Sequence, residues 1–251
     1  MPTSNDFTGT LRDAADKGLI VAAKMRRRVD DLAWGRALTR NIVLVLFPAA
    51  LLENIAMLTL YHSPQTRSSR FIWLLEELGE PYGIEYVTIQ RGDGTGERDP
   101  KNPNPDGRVP TLVHDGQLVS ESAAICLYLT DAFPKANLGP AVGDGARADY
   151  LTWLFFYAGE VEPALVAKWT KRVDTDEREK RRYDQMLARF EGALAKGPYM
   201  LGETFSAADV LYGSIVQWGA EMLPERPAFK AYLDRLTARP AFQRSLAKDA
   251  A

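Results

Sequence analysis

From residue 57 to residue 134 the apolar and polar positions alternate between two rhythms. "LTLYH" is a short apolar-rich run of strand length. "RFIWLLEEL" then places Phe71, Leu74, Leu75 and Leu78 on one helical face, until Gly79 and Pro81 stop the helix. "IEYVTI", residues 84 to 89, is dense in β-branched and aromatic residues and predicts a second strand. A helix between two strands makes a βαβ unit, so these strands run parallel. "RGDGTGERDPKNPNPDG", residues 91 to 107, is Gly, Pro, Asp and Asn almost throughout and predicts an irregular surface loop. "TLVH" and "QLVS" flank Asp115 and Gly116, a dipeptide suited to a two-residue hairpin because both turn positions need positive φ. "ESAAICLYLTDAF" returns to helical period and ends at Pro134. The predicted order is β-α-β-β-β-α.

Beyond residue 134 the pattern is helical throughout. The Gly- and Pro-bearing stretch at 134 to 146 reads as a boundary, giving domains at 57 to 136 and 145 to 251. Over residues 176 to 196, Tyr183, Met186, Leu187, Phe190 and Leu194 form one apolar stripe. "FSAADV" opens a further helix with Ser206 as cap and Asp209 reaching back, a folding device and not a site. Residues 1 to 56 fit none of this. Their apolar run "IVLVLFPAALL" is shorter than the roughly 20 residues a membrane span needs and is broken by Pro48. The segment is expected to be a helical or disordered extension, or to lie upstream of a true start at Met57.

Composition narrows the chemistry. A chain of 251 residues, 46% hydrophobic and 25% charged, suits two modest domains with real cores. With 31 basic and 33 acidic residues there is no net attraction to nucleic acid or anionic membrane. Cys126 is the only cysteine, so no intramolecular disulfide can form; this fits a reducing, cytoplasmic setting, with the thiol a small buried apolar group. His62 and His114, the only histidines, cannot build a zinc centre with it. Ser63 and Ser68 lie near His62, yet no nucleophile elbow surrounds them, which argues against a hydrolase triad. Two polar helix starts remain. One is Tyr61, Ser63, Thr66, Arg67 and Ser68 after the first strand. The other is Ser120 to Ser122, where unpaired amides can hold a carboxylate.

These residues resemble the glutathione transferases over nearly all of 57 to 251. The resemblance is carried by "LYHSPQTRSSRFIWLLEELG", "NPDGRVPTLVHDGQLVSESAAICLYL" and "YMLGETFSAADV" in that order. It implies an α/β thioredoxin-like N-terminal domain that binds glutathione, followed by an all-α helical domain that helps to form the electrophile pocket. It also implies a cis bond before Pro110. Carried over by residue, Glu121 and Ser122 hold the γ-glutamyl end, the Val109 backbone pairs with the cysteine portion as an added strand, and Arg108 reaches the glycine carboxylate. Tyr61 falls where tyrosine-type classes keep their catalytic hydroxyl, and is also readable as a packing residue. Thr66 falls where serine- and cysteine-type classes keep theirs, and Arg67 on a family arginine. Trp153, Phe156 and Tyr157 are the candidates for the electrophile pocket.

The resemblance implies a detoxifying glutathione transferase working as a homodimer on a small electrophile, with glutathione as co-substrate and no metal. Peroxidase or isomerase activity belongs to the same class. The alternative is a non-catalytic glutathione-binding or protein-interaction module on the same fold. A free thiol is only about 3% thiolate at pH 7. Lowering its pKa by roughly two units takes about 2.7 kcal/mol. One hydrogen bond to the anion supplies about 1.5 to 3 kcal/mol. A single hydroxyl donor is therefore nearly sufficient, and no general-base histidine is required.

Overall fold

The computed structural model describes residues 58 to 249. The extension over 1 to 56 and the expected start at Met57 lie outside the described residues.

Strand β1, Leu58–His62, alternates so that Leu58, Leu60 and His62 point inward. Helix α1, Ser69–Leu78, buries Phe71, Ile72, Trp73, Leu74 and Leu75 and ends on Gly79 at φ 75, whose amide donates to the Leu75 carbonyl. Strand β2 is Tyr82–Tyr86, two to three residues earlier than the run of β-branched residues suggests. The reason is its partner: β2 pairs residue for residue with β1 from Leu58↔Tyr82 to His62↔Tyr86, and Val87 N–H to His62 O at 2.8 Å is the last rung. Strands β3, Thr111–His114, and β4, Gln117–Ser120, form the hairpin, with Asp115 and Gly116 at φ 50 and 77. The sheet order is β2-β1-β3-β4, with β1 parallel to β2 and the other pairs antiparallel. Helix α2, Ser122–Ala132, completes this half.

The rest is helical: α3 (Arg147–Phe156), α4 (Glu162–Trp169), α5 (Glu177–Leu194), α6 (Ala207–Trp218), α7 (Pro227–Thr237) and α8 (Pro240–Asp249). A π-helical turn, Tyr157–Val161, joins α3 to α4. The architecture is thus thioredoxin-like α/β followed by all-α, as the sequence implies. In α5, Tyr183, Met186 and Phe190 are buried as the stripe requires.

One core serves both halves. Trp73 of α1 meets Phe242 of α8 edge-on at 5.2 Å, and a Cβ on Gly213 of α6 would run into Leu236 and touch Trp73. Charge closes the same seam: Arg239 forks onto Glu77 at 2.6 and 2.9 Å, and Arg244 reaches Glu76 at 2.6 Å. At the start of α6 the buried Asp209 carboxylate accepts from Ser206 N–H, Met200 N–H and the Tyr232 hydroxyl, each at 2.8 Å. Among the described residues no helix is long and apolar enough to cross a membrane.

Candidate active site

Register brings three separated segments to one end of the sheet. Tyr61 lies opposite Thr111, and Thr111 opposite Ser120. The loop after β1, the residues entering β3 and the start of α2 therefore meet beyond the C-terminal end of β1. This gathers Thr66 and Arg67, then Arg108, Val109 and Pro110, then Glu121 and Ser122. The Val109–Pro110 peptide is cis. Buried Asn102 and Asn104 brace the middle segment: Asn102 Nδ2 donates to Arg108 O at 3.1 Å and Asn104 Nδ2 to Thr111 Oγ1 at 3.0 Å. Glu121 is exposed at φ 70, an uncommon backbone state for a residue with a side chain, and the first amides of α2 follow it.

The first segment is held by its own hydroxyls. Thr66 Oγ1 donates to Ser63 O at 2.7 Å and lies 2.7 Å from Ser68 Oγ, while the Ser68 amide donates to Thr66 Oγ1 at 3.2 Å. Ser68 Oγ accepts from Ser63 N–H at 3.2 Å and sits 2.8 Å from His62 Nδ1. Thr66 is half-buried, whereas Ser68 and His62 are buried, so the chain of hydroxyls leads from the surface inward. Burial lowers the pKa of His62 below its usual value, opposed by Asp249 through its carboxylate and its backbone. Tyr61 is half-buried on the face of β1 opposite Leu60, and its hydroxyl makes no hydrogen bond among the described residues.

Arg67 is exposed, with Nε shared between both Glu162 carboxylate oxygens at 3.1 Å. Behind it Arg70, its side chain 1% exposed, donates to the Tyr157 hydroxyl and to Glu162 Oε1 at 3.3 Å. The Tyr157 hydroxyl in turn donates to Glu162 Oε1 at 3.1 Å, and burial raises its pKa. This cluster straddles the π-helical turn, a feature often found near functional sites. The three candidate pocket aromatics thus differ. Trp153 and Phe156 are half-buried, 6.0 Å apart edge to face, with the Arg189 guanidinium 5.1 and 4.1 Å from their ring centres. Tyr157 is wholly buried and its hydroxyl is fully engaged.

Sequence reasoning placed Ser68 in the first polar segment and set His62 aside with the hydrolase triad; it missed Arg70 and Glu162. A signal existed for His62, since positions 58, 60 and 62 share one face of β1 and the first two are leucines. Nothing local signals Glu162, which lies 95 residues from Arg67. Among the described residues no group of three or more His, Cys, Asp or Glu is placed to hold a metal.

Residues 66–132 match the model of the glutathione S-transferase N-terminal domain and residues 175–235 that of the C-terminal domain. Glutathione S-transferase GstA of Escherichia coli O157:H7 is 26% identical over 198 residues, covering 76% of this chain and 98% of the relative. A crystal structure of a glutathione transferase from Methylococcus capsulatus superposes with TM-score 0.65 at 29% identity, covering 77% of this chain and 98% of that one. A sphingomonad glutathione S-transferase complexed with glutathione gives 0.63 at 28% identity, covering 76% and 98%.

Proposed function

The chain belongs to the glutathione S-transferase family, and on that premise we infer that it binds glutathione at the end of β1 and activates its thiol for attack on a small electrophile. The observation that carries this reading is the meeting, beyond the C-terminal end of β1, of the loop that bears the half-buried Thr66, the segment with the cis Val109–Pro110 bond and the N-terminus of α2. The tripeptide lies across all three segments. Glu121 and Ser122, with the amides of α2, take the γ-glutamyl end. The Val109 backbone pairs with the cysteine portion before Pro110, and Arg108 takes the glycine carboxylate.

Thr66 turns its proton from Ser63 O to the sulfur. The hydrogen bond it gives up is one to a neutral carbonyl; the one it makes is to an anion and is roughly twice as strong. Arg67, on the same loop, donates to Glu162 through Nε and adds its guanidinium to the positive side of the site. The thiolate then attacks the electrophilic carbon, forming a C–S bond as the leaving group departs with the bond pair. Trp153 and Phe156, under the Arg189 guanidinium, present an apolar face for an aryl or alkyl group; Tyr157 contributes through Arg70 and Glu162, not by contact. The glutathione-binding domain runs over 57 to 136 and the helical domain over 145 to 251, and the protein works as a cytoplasmic homodimer.

The test is a titration of thiolate ultraviolet absorbance with glutathione bound to wild type, Thr66→Ala, Thr66→Val and Tyr61→Phe. Thr66→Val raises the bound thiol pKa and Tyr61→Phe does not; the reverse order transfers the role to Tyr61. Turnover of aryl halides, hydroperoxides or isothiocyanates identifies the reaction. Retention on immobilised glutathione with no turnover of any of them identifies a binding module instead. Light scattering of the full chain reads the dimer.

A further inference from the structure

A thiol that becomes a thiolate must give its proton to something, and behind Thr66 the structure holds a buried histidine. A line of polar atoms runs inward from Thr66 Oγ1 to Ser68 Oγ (2.7 Å), to His62 Nδ1 (2.8 Å), and from His62 Nε2 to Asp249 Oδ1 at the end of α8 (3.2 Å). His62 is 0% exposed. Neither Nε2 nor Asp249 Oδ1 makes a hydrogen bond among the described residues, and these two buried polar atoms face each other at 3.2 Å. Ser68 has no need of a histidine for folding, since its hydroxyl already reaches Ser63 O and receives Ser63 N–H.

Resting on the reading that Thr66 meets the glutathione sulfur, we propose that His62, backed by Asp249, accepts the thiol proton through Thr66 and Ser68. The thiol gives its proton to Thr66 Oγ1, Thr66 gives its own to Ser68 Oγ, and Ser68 gives its own to His62 Nδ1. One S–H and two O–H bonds break; two O–H bonds and one N–H bond form. The S–H bond pair stays on sulfur as the thiolate, and the positive charge rests on the imidazolium. Both hydroxyls end with one proton each, now directed outward. His62 Nδ1–H donates to Ser68, Ser68 to Thr66, and Thr66 to the sulfur. The relay that removes the proton thereby becomes the donor chain that holds the anion. Once the sulfur is alkylated there is no anion left for the imidazolium to balance, and its proton is lost to solvent.

The ring's surroundings suit this. Burial favours a neutral ring in the free protein, and the Asp249 carboxylate favours the tautomer with hydrogen on Nε2, which leaves the Nδ1 lone pair toward Ser68. After transfer the same carboxylate offsets part of the burial cost of the imidazolium. From β2 the Tyr86 ring meets His62 edge-on at 5.5 Å; its hydroxyl donates to Lys248 O at 2.6 Å, and burial and Asp249 raise its pKa, so it stays neutral. His62 does not touch the substrate and acts as a positioning residue.

The experiment is nitrogen NMR of the full chain labelled in histidine, at pH 7, with saturating glutathione and then with S-methylglutathione, which has no thiol proton. His114→Gln assigns the two histidines. Glutathione is expected to move the His62 ring nitrogens to imidazolium shifts, and S-methylglutathione to leave them neutral. Asp249→Asn is expected to raise the bound thiol pKa by roughly one unit, as for loss of one nearby opposite charge. A His62 neutral with both ligands, or an unchanged thiol pKa in Asp249→Asn, overturns the relay. Thr66→Val separates the two claims: if it leaves the thiol pKa unchanged, the donor reading fails and the relay with it. If it raises the pKa while His62 of the wild type stays neutral with glutathione bound, only the relay fails.

Discussion

Removing the Glu162 carboxylate tests how the two halves are joined. Glu162 Oε1 serves Arg70 Nη2 at 3.3 Å, the Tyr157 hydroxyl at 3.1 Å and Arg67 Nε at 3.1 Å. The partners are unequal: the Arg70 side chain is 1% exposed and that of Arg67 46% exposed. In Glu162→Ala, Arg67 turns to water at little cost. Arg70 cannot, and keeps only the Tyr157 hydroxyl and the faces of Tyr157 and Trp218, at 5.3 and 5.9 Å. Breaking a buried pair from one side costs about 3 to 5 kcal/mol. Because the Glu162 side chain is 24% exposed, water partly replaces it, and the lower end, about 3 kcal/mol, applies. An exposed pair is worth at most about 1 kcal/mol, which bounds Arg67→Ala.

At roughly 2 to 4 °C per kcal/mol for a chain of this size, Glu162→Ala should lose about 6 to 12 °C in Tm and Arg67→Ala no more than about 4 °C. Thermal denaturation at one fixed protein concentration reads both, so that dimerisation does not enter. The triple variant Arg70→Met, Tyr157→Phe and Glu162→Leu should recover most of the loss, because it removes the stranded charge and the buried hydroxyl along with their shared partner. If Glu162→Ala costs no more than Arg67→Ala, Arg70 is not the buried dependent described here, and the reasoning is refuted.

Burial pushes the Asp209 carboxyl up to about 6, against hydrogen bonds from Met200, Tyr232 and Ser206 that lower it. The folded state therefore holds a proton that the unfolded state has released, and stability should fall by about 3 kcal/mol as pH rises from about 4 to 6. Urea denaturation across that window should show the slope, and Asp209→Asn should abolish it. Gly213→Ala should lose about 1 to 3 kcal/mol by overpacking α6 against Leu236 and Trp73; an unchanged midpoint in urea would show that the α6–α7 contact has slack. Burial pushes the Cys126 thiol up to about 12, so Ellman's reagent should label it only at the rate of unfolding, and rapid labelling of native protein would contradict that burial.

Much of the molecule was legible because short-range rules decide it. The period of "RFIWLLEEL" sets α1, Asp115 and Gly116 set the hairpin, and Ser206 with Asp209 sets the start of α6. The segments that meet beyond β1 to form the candidate site were legible as local motifs as well. Strand β2 was misplaced toward residue 89 because propensity alone does not end a strand; its last hydrogen-bonded neighbour on β1 does.

What tertiary structure alone decided is which side chains answer one another across the chain. In sequence, Arg70 is one more basic residue on a helix. It becomes a buried charge because Tyr157 and Glu162 fold over it from 87 and 92 residues away. His62 and Ser68 were visible near Thr66, but a histidine's role depends on what faces its other nitrogen, and Asp249 arrives only when α8 packs on α1. Backbone conformation follows from neighbours along the chain, whereas burial and charge depend on neighbours in space. The first is written locally in these 251 residues; the second exists only after they fold.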